Sequence, residues 1–441
     1  MVKKIFSVIL CIAMLGTTFI GCSNDSESVR EDSQDSASDT QTTGEEETKL
    51  TLKDIMGLDI KLADLNELMQ PVFMGDTCKN ETVMFLDKGE IKSLLFPIEN
   101  IISVTSYDEK KVYKEGTDYK VVDGKLKVLK NSNIPCITSK VYYNYAGSKL
   151  TTIYNGKEVP TYWGETAMTK YQIKVTYTHS TSWEGFWQES GLEIYQNFIK
   201  KLQDGKDVTV FFCGDSITYG ANASWIMNEP PYQYSYPILF TQALADLFDY
   251  TIHYEAANLN GTSPVPEKDY VAGTRGTITY VNVAVGGWDS SMGVSTKTDY
   301  VVKKIKAHGC DLFVVGYGMN DKTIEPKTTK ANVEVLIDAA LRMSPDSSIV
   351  LLSTMVPNPD GVNWYGNQDK QEEQLKTLAE EYRGRGVACG VCCMTSTSLD
   401  VLKYKDFHDY SGNNINHPND YFVRIYAQTL LQLVVGYENM S

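Results

Sequence analysis

Five short apolar runs in the second half of the chain predict the strands of a buried sheet. They are VTVFFCG, ITYVNVAVGG, CDLFVVGYG, SSIVLLSTM and GVACGVCCM. Runs of this kind are typical of parallel strands that are covered on both faces. Segments with apolar residues at helical spacing, such as YPILFTQALADLF, lie between most of them. The alternation predicts a three-layer α/β domain with a parallel sheet over residues 200–441.

The first half of the chain shows the alternating pattern of half-buried β-strands instead. In YQIKVTYTH, apolar and polar residues alternate, and the pairs Asp123-Gly124 and Asn155-Gly156 lie between such runs as hairpin turns. These features predict a β-sandwich, jelly-roll-like domain over residues 50–185. Its aromatic residues have two interpretations, core packing or stacking on sugar rings. They are Tyr142, Tyr143, Trp163, Trp183 and Trp187.

The first 49 residues have the composition of a targeting segment and a tether. A basic start, MVKK, precedes about 16 apolar residues, which is short of the roughly 20 that span a bilayer. Residues 1–21 are therefore expected to be a signal peptide. Residues 23–49 then hold nine Asp and Glu among small polar residues. Such a stretch buries too little apolar surface to fold, so residues 22–49 are expected to be a disordered acidic tether.

Composition and charge exclude several kinds of partner. The 441 residues are 42% hydrophobic, as in globular proteins, and carry a net charge of −15. Nucleic acids and anionic membranes need basic patches, so neither is expected as the main partner. The CGVCC segment contains Cys389, Cys392 and Cys393 without a second CxxC, so we expect no metal there. A Cys78–Cys136 disulfide is one of the pairings that the sequence permits.

Small polar residues end three of the predicted strands, in GDS, GGWDS and GMND. In parallel sheets the functional site lies beyond the carboxyl ends of the strands. Ser216 lies there, either as a nucleophile or as a simple helix cap. The chain has no GxSxG motif, which disfavours an ordinary α/β-hydrolase. Of the five histidines, His417 directly precedes an amphipathic helix that could hold an imidazole in place.

These residues resemble the motifs of the SGNH (GDSL-type) hydrolase family. Its four blocks occur in order as GDSIT, NVAVGGWDS, GMND and NHPND, which supply Ser216, Gly287, Asn320 and His417. The resemblance implies that Ser216 is the nucleophile and His417 its base. It also implies an oxyanion hole made of the backbone N–H groups of Ser216 and Gly287 and the side-chain amide of Asn320. No metal or organic cofactor is expected.

One position departs from the family pattern. The family usually has Asp three residues before the histidine, and this chain has Asn414. Asn414 is a candidate for orienting the imidazole through its carbonyl oxygen. A backbone carbonyl or one of the nearby carboxylates is the alternative, which would leave a Ser216–His417 dyad. Those carboxylates belong to Asp406, Asp409 and Asp420.

The order of a β-domain and an SGNH domain resembles the layout of carbohydrate esterase family 2, which removes acetyl groups from plant polysaccharides. This likeness implies an acetylated polysaccharide or oligosaccharide as substrate. Trp288, next to Gly287, and Trp364 are candidates for stacking on a sugar, or else are packing residues. Two alternatives remain: an SGNH enzyme acting on lipid, thioester or peptidoglycan O-acetyl esters, and a surface carbohydrate-binding protein with an inactive hydrolase domain.

The segment TFIGCSND resembles the signal of a bacterial lipoprotein. The resemblance implies that Cys22 becomes the lipidated N-terminus after cleavage. A lipid on Cys22 would attach the protein to the extracellular face of a bacterial cell membrane, with the lipid as its only membrane contact.

Overall fold

The computed structural model describes residues 61–143, 151–154, 157–160, 168–256, 265–360, 364 and 366–440. The predictions for the signal peptide, the tether, Cys22, the Asn155-Gly156 turn and Trp163 lie outside the described residues. Within the described residues, no helix combines the length and apolar character needed to cross a bilayer.

Among its described residues, the N-terminal half forms three small antiparallel sheets, which is consistent with the predicted β-rich region. Strand β8 lies between β1 and β3, β5 lies between β2 and β4, and β6 pairs with β7. The turn between β4 and β5 is Asp123-Gly124, with φ of 51° and 70°, the conformation that Asp-Gly favours in two-residue hairpins. The strands are β1 (Thr77–Met84), β2 (Ile91–Lys92), β3 (Asn100–Ser106), β4 (Tyr119–Val122), β5 (Lys125–Val128), β6 (Thr151–Tyr154), β7 (Lys157–Pro160) and β8 (Gln172–Thr178).

The C-terminal half is built on a seven-stranded sheet, which confirms the predicted α/β class. Its order is β11-β10-β12-β9-β13-β14-β15, and all neighbouring pairs are parallel except β10 with β11 at one edge. The strands are β9 (Val208–Gly214), β10 (Thr251–Glu255), β11 (Tyr270–Val271), β12 (Thr277–Asn282), β13 (Leu312–Gly316), β14 (Ser348–Leu352) and β15 (Cys389–Cys392).

Helices cover both faces of this sheet, giving three layers. The α-helices are Ser139–Tyr142, Leu192–Gln203, Ser216–Tyr219, Tyr236–Phe248, Ser290–Met292, Thr298–His308, Pro326–Met343, Gln368–Gly384, Met394–Val401, Phe407–Tyr410 and Asp420–Val434. Alternate residues of β9 belong to two separate apolar clusters: Val210 and Phe212 to one, Phe211 and Cys213 to the other. This alternation is what a strand buried on both faces requires.

One of the two apolar clusters continues from the sheet into the N-terminal half. It joins Val83 and Val104 of the N-terminal strands to Phe422 and Leu430 of the helix Asp420–Val434. Trp183 and Trp187 pack against the same cluster, and the ring of Trp183 stacks on Phe73 at 4.6 Å. These two tryptophans are therefore packing residues, and the N-terminal half shares an apolar cluster with the C-terminal half.

The structure does not contain the Cys78–Cys136 disulfide that the sequence permits. The Cys78 thiol is buried and donates to Glu81 Oε2 at 3.4 Å, and the Cys136 thiol donates to Ile134 O at 3.7 Å.

Candidate active site

Ser216 is positioned by the turn that ends β9. Asp215 caps the helix Ser216–Tyr219, because its carboxylate accepts a hydrogen bond from Ile217 N at 2.9 Å. Gly214 is required here, since a Cβ at this position would lie 2.3 Å from Gly316 O. In the GDS motif, Gly214 allows the close contact between strands, Asp215 caps the helix, and Ser216 places its hydroxyl at the carboxyl end of β9.

His417 lies in a loop that its own asparagine organises. Asn413 Oδ1 accepts hydrogen bonds from Ile415 N, Asn416 N and His417 N, at 2.9, 3.0 and 3.1 Å. The carbonyl of His417 accepts from Gly412 N at 2.9 Å. The backbone of His417 is therefore bonded on both its N–H and its C=O side.

Two N-terminal strands hold this loop from outside. Gln172 Nε2 in β8 donates to His408 O at 2.7 Å and to Ser411 O at 2.8 Å. On the other side of the loop, Asn419 Nδ2 donates to Thr82 Oγ1 of β1 and to Gln172 Oε1, both at 3.0 Å. The N-terminal half therefore positions the segment that carries the candidate base.

Lys92 of β2 forms a cluster of charged side chains where the N-terminal strands meet the segment that carries His417. Its Nζ lies 2.6 Å from Asp409 Oδ1, 2.8 Å from Asp406 Oδ2 and 3.0 Å from His408 Nε2. Asp406, His408 and Asp409 are close enough to share a metal ion, but they surround this ammonium group. Burial opposes the charge of Lys92, yet the two carboxylates outweigh it and raise the pKa of Lys92. Burial, with Lys92 adding to it, lowers the pKa of His408 to about 4.

The structure brings Ser216 and His417 together as a hydrogen-bonded pair. The Ser216 Oγ donates to His417 Nε2 at 2.9 Å, and His417 Nδ1 donates to Asn222 Oδ1 at 2.7 Å. Because an amide oxygen only accepts, Asn222 fixes the tautomer in which Nε2 is the base. The three side chains form a serine–histidine–asparagine relay.

Asn414 does not occupy the orienting position, so the sequence-based assignment of that role is wrong. Asn414 has a φ of 62°, and its Oδ1 accepts from Tyr142 Oη at 2.9 Å. The carboxylates considered as alternatives are also engaged elsewhere: Asp406 and Asp409 on Lys92, and Asp420 on Ser224 N at 2.8 Å. Asn222 follows the nucleophile by only six residues, in GDSITYGAN, and no spacing rule marks it.

Burial sets the charge state of the candidate base. It lowers the pKa of His417 to about 4, because the desolvated ring disfavours the imidazolium form. The amide of Asn222 is neutral and does not counter this effect. The imidazole is therefore neutral at pH 7 and able to accept the Ser216 proton.

The other two blocks lie beside Ser216 because their strands flank β9. Strands β12 and β13 pair with β9 on either side, so Gly287 and Asn320 follow strand ends next to the nucleophile. Asn320 Nδ2 donates to Trp288 O at 3.0 Å, which orients the amide. Gly287 has a φ of 78°, a conformation that favours glycine. The Ser216 N–H lies in the first helical turn, where no intrahelical acceptor exists.

Asp321 connects these two blocks, a role that the sequence did not suggest. Its carboxylate is completely buried and accepts from Ser290 N at 3.1 Å and from Thr329 Oγ1 at 3.4 Å. Burial raises the pKa of Asp321 despite these bonds. The Asp of GMND therefore ties the GGWDS loop to the helix Pro326–Met343.

The two tryptophans proposed as sugar contacts have different surroundings. Trp288 is half-buried beside Gly287 and packs against the second apolar cluster. Trp364 has the Lys322 ammonium 3.9 Å from its ring centroid, so one face of the indole already carries a cation. Trp288 is the better placed of the two for contact with a substrate at Ser216.

Residues 212–422 match the model of the GDSL-like Lipase/Acylhydrolase family. This part of the chain is a GDSL-like hydrolase domain. It contains all four blocks and the relay of Ser216, His417 and Asn222. No curated protein sequence matches the chain significantly.

Solved structures that resemble this chain include several esterases. One is a two-domain esterase (CEX) active on acetylated mannans, co-crystallized with mannopentaose, at 15% identity and a TM-score of 0.41. The match covers 58% of this chain and 56% of that chain, so it spans little more than half of that esterase. A family 3 carbohydrate esterase from Talaromyces cellulolyticus has 14% identity, coverage of 53% and 100%, and a TM-score of 0.33. The Clostridium thermocellum family 3 carbohydrate esterase has 14% identity, coverage of 52% and 96%, and a TM-score of 0.34.

Proposed function

We propose that the protein is a serine esterase that removes O-acetyl groups from carbohydrate. The observation that carries this proposal is the relay of Ser216, His417 and Asn222, with the Asn320 amide fixed at the neighbouring strand end. A serine hydroxyl bonded to a neutral imidazole, next to preorganised N–H donors, is the arrangement that acyl transfer needs.

In this mechanism Ser216 Oγ attacks the ester carbonyl while His417 Nε2 takes its proton. The resulting oxyanion is stabilised by the N–H groups of Ser216 and Gly287 and by Asn320 Nδ2. His417 then protonates the leaving alcohol, and water enters to hydrolyse the acyl-enzyme through the same base. Asn222 accepts a hydrogen bond from Nδ1 in both steps and so orients the ring. Because its amide is neutral, it does not stabilise the imidazolium as a carboxylate would.

The surroundings of the nucleophile support a sugar as the alcohol part of the ester. Gly286 and Gly287 are exposed beside Ser216, and Trp288 directly follows them with its ring half-buried. An indole with one accessible part supplies the apolar face on which a sugar ring stacks. The order of a β-rich half and a GDSL-like half is in keeping with this assignment.

Acetate release from defined substrates tests the proposal. Purified protein should hydrolyse 4-nitrophenyl acetate, and it should release acetate from at least one polymer in a panel of acetylated xylan, glucomannan and peptidoglycan. Ser216→Ala is the matched control for background release. Turnover of long-chain acyl esters or acyl thioesters in preference to every acetylated glycan would assign the protein to a different ester class.

The alternative of an inactive, sugar-binding protein rests on two features, the missing aspartate three residues before the histidine and the extra β-domain. The first no longer supports it, because His417 Nδ1 donates to Asn222 Oδ1 at 2.7 Å. Turnover of 4-nitrophenyl acetate that depends on Ser216 would exclude this alternative.

We also propose that the mature protein is anchored by a lipid on Cys22 at the outer side of a bacterial cell membrane. The support is the sequence of residues 1–22 and the acidic segment that follows. Cys22→Ala should abolish labelling by a palmitate analogue and release the protein into the medium, because an acidic tether has no affinity for an anionic surface. Retention of that variant in the membrane fraction would contradict the anchor.

A further inference from the structure

A cavity of about 520 Å³ lies where the N-terminal half meets the start of the helix Asp420–Val434. Its walls come from β1, β8, the segment Pro231–Tyr234 and that helix. Among the described residues that line it, none belongs to the catalytic relay or the oxyanion donors. It is therefore a space separate from the candidate active site.

Two buried charged side chains in this cavity keep unused hydrogen-bonding groups. Arg424 is 2% exposed and donates through Nη2 to Lys79 O at 2.7 Å and to Asn80 O at 3.4 Å. The described residues supply no acceptor for its Nη1 or Nε. Asp420 is 1% exposed, and its Oδ2 has no donor among the described residues. The buried Oδ2 of Asp420 is costly to leave unsatisfied, and the Arg424 nitrogens without an acceptor are open to a partner, so the cavity favours a ligand that both donates and accepts.

The lining of the cavity contains equal numbers of positive and negative side chains, together with several tyrosines. Two cations, Arg424 and Lys174, are matched by two carboxylates, Asp420 and Glu109, and Lys174 Nζ lies 2.6 Å from Glu109 Oε1. This balance favours a neutral ligand over an anion. Four tyrosines add aromatic surface: Tyr232, Tyr234, Tyr270 and Tyr421.

Tyr232 is an exposed residue of the cavity lining. Its side chain is 51% exposed, and its backbone adopts a φ of 62°. An exposed aromatic ring in the lining of a polar cavity is suited to stack on the apolar face of a sugar, while buried donors and acceptors meet the hydroxyls.

A smaller cavity of about 310 Å³ borders the catalytic relay at Asn222. Asn222 and Ser224 line it, together with the turn that contains Asp108 and Lys110. Glu109, between those two residues, lines the larger cavity, as Pro231 does after Pro230 of the smaller one. The two cavities are therefore lined by adjacent residues of the same turn and the same loop.

We propose that the larger cavity binds a neutral sugar unit of a polysaccharide chain, at a binding site apart from Ser216. Arg424 and Asp420 hydrogen-bond the hydroxyls, and Tyr232 stacks on the ring. The inference rests on the proposed function in one respect, that the bound chain is the one whose acetyl groups are removed at Ser216.

Titration calorimetry with unacetylated oligosaccharides tests this site without turnover. The probes are xylopentaose, cellopentaose and mannopentaose, added to the full-length protein. We expect at least one probe to bind, and Tyr232→Ala to weaken that binding about tenfold, the loss of one aromatic contact of roughly 1.4 kcal/mol. Arg424→Lys keeps the positive charge but removes the planar set of guanidinium N–H donors, so it should weaken the binding of the oligosaccharide similarly. Tyr404→Ala, an exposed tyrosine outside the cavity at 37% exposure, is the matched control and should change nothing.

Three results would overturn the inference: no probe binds, binding is unchanged in both cavity variants, or only Trp288→Ala weakens it. The last result would place the sugar solely at the active site. A thermal unfolding curve establishes whether each variant is folded. If Arg424→Lys does not fold, Tyr232→Ala alone decides the test. Acetate release by the wild-type protein is measured separately, so failure of the proposed function is distinguishable from failure of this site.

Discussion

At the scale of single residues, the partner of His417 Nδ1 is an amide oxygen where most serine hydrolases have a carboxylate. Asn222 Oδ1 lies 2.7 Å from Nδ1, and burial lowers the pKa of His417 to about 4. The base is therefore neutral over an unusually wide range of pH. Activity should persist well below pH 6.5, until the imidazole gains a proton.

Asn222→Asp should shift the acid limb of kcat/KM to higher pH. A carboxylate at 2.7 Å favours the imidazolium, so it raises the pKa of His417, and the base is lost earlier on acidification. Asn222→Ala should lower kcat, since the tautomer is no longer fixed. Asn414→Asp serves as the control and should leave the limb in place. If the pH profile of kcat/KM is unshifted in Asn222→Asp, the assignment of Asn222 as the partner of His417 is wrong.

Ser216→Ala and His417→Ala should each reduce turnover of 4-nitrophenyl acetate by about 10⁴-fold or more, because either change removes the whole relay. His253→Ala, whose side chain is 55% exposed, is the matched histidine control and should retain full turnover. Near-normal activity in a folded Ser216→Ala variant would refute the nucleophile.

Asn320→Ala should lower kcat by about 10²–10³ with little change in KM, since its amide acts on charge that develops in the transition state. Steady-state kinetics separate the two parameters. A change confined to KM would make Asn320 a residue that positions the substrate instead.

Much of this site could be predicted from the sequence, because its residues follow strand ends. Ser216, Gly287 and Asn320 are adjacent in space since β12, β9 and β13 are adjacent in the sheet. Asn222 could not be found this way. It lies in a loop, and its contact with His417 depends on how two loops meet, which no periodic pattern encodes.

At the scale of elements, the loop that carries His417 is attached to the N-terminal strands by buried ion pairs. Lys405 Nζ lies 2.5 Å from Glu81 Oε1, and both side chains are fully buried. Glu81 also accepts from Tyr177 Oη at 2.7 Å and Leu95 N at 3.0 Å. The negative charge of Glu81 is buried, so its stability in the folded protein depends on the ammonium group of Lys405.

Lys405→Met should lower the free energy of unfolding by about 3–5 kcal/mol, because it leaves the charge of Glu81 buried and uncompensated. The double variant Lys405→Met, Glu81→Gln should recover part of the loss. Lys200→Met is the matched control, since Lys200 makes an exposed helical pair with Asp204 and should cost less than about 0.5 kcal/mol. Equal shifts of the urea midpoint in Lys405→Met and Lys200→Met would contradict the argument.

The apolar runs predicted correctly that strands such as β9 are buried on both faces. Alternation predicted a half-buried strand for β8, and this is wrong, because Gln172 and Lys174 on its polar face are buried as well. These patterns did not predict what covers the buried faces. Val83 and Val104 read as the inside of a β-domain, yet they belong to the same apolar cluster as Phe422. A hydrophobic pattern shows that a residue is buried and carries no information about its partner.

At the scale of the whole molecule, hydrogen bonds and one apolar cluster join the N-terminal half to the hydrolase half. Met69 O accepts from Tyr437 Oη at 2.8 Å, and Val72 N donates to Gln428 Oε1 at 3.1 Å. Residues 205–441 expressed alone should therefore aggregate and show no turnover, while removal of residues 1–49 should leave turnover intact. Gel filtration and ester hydrolysis check both fragments. A soluble, active 205–441 fragment would show that the halves are independent.

The helix Asp420–Val434 has all fifteen residues buried, and His417 lies directly before it. Segments of this kind exchange their amide hydrogens only when the whole chain opens. The candidate base is thus attached to a fully buried helix, whereas many enzymes carry such residues on segments that open first. On heating, the protein should have no folded but inactive state, because the temperature at which it stops working is the temperature at which it melts.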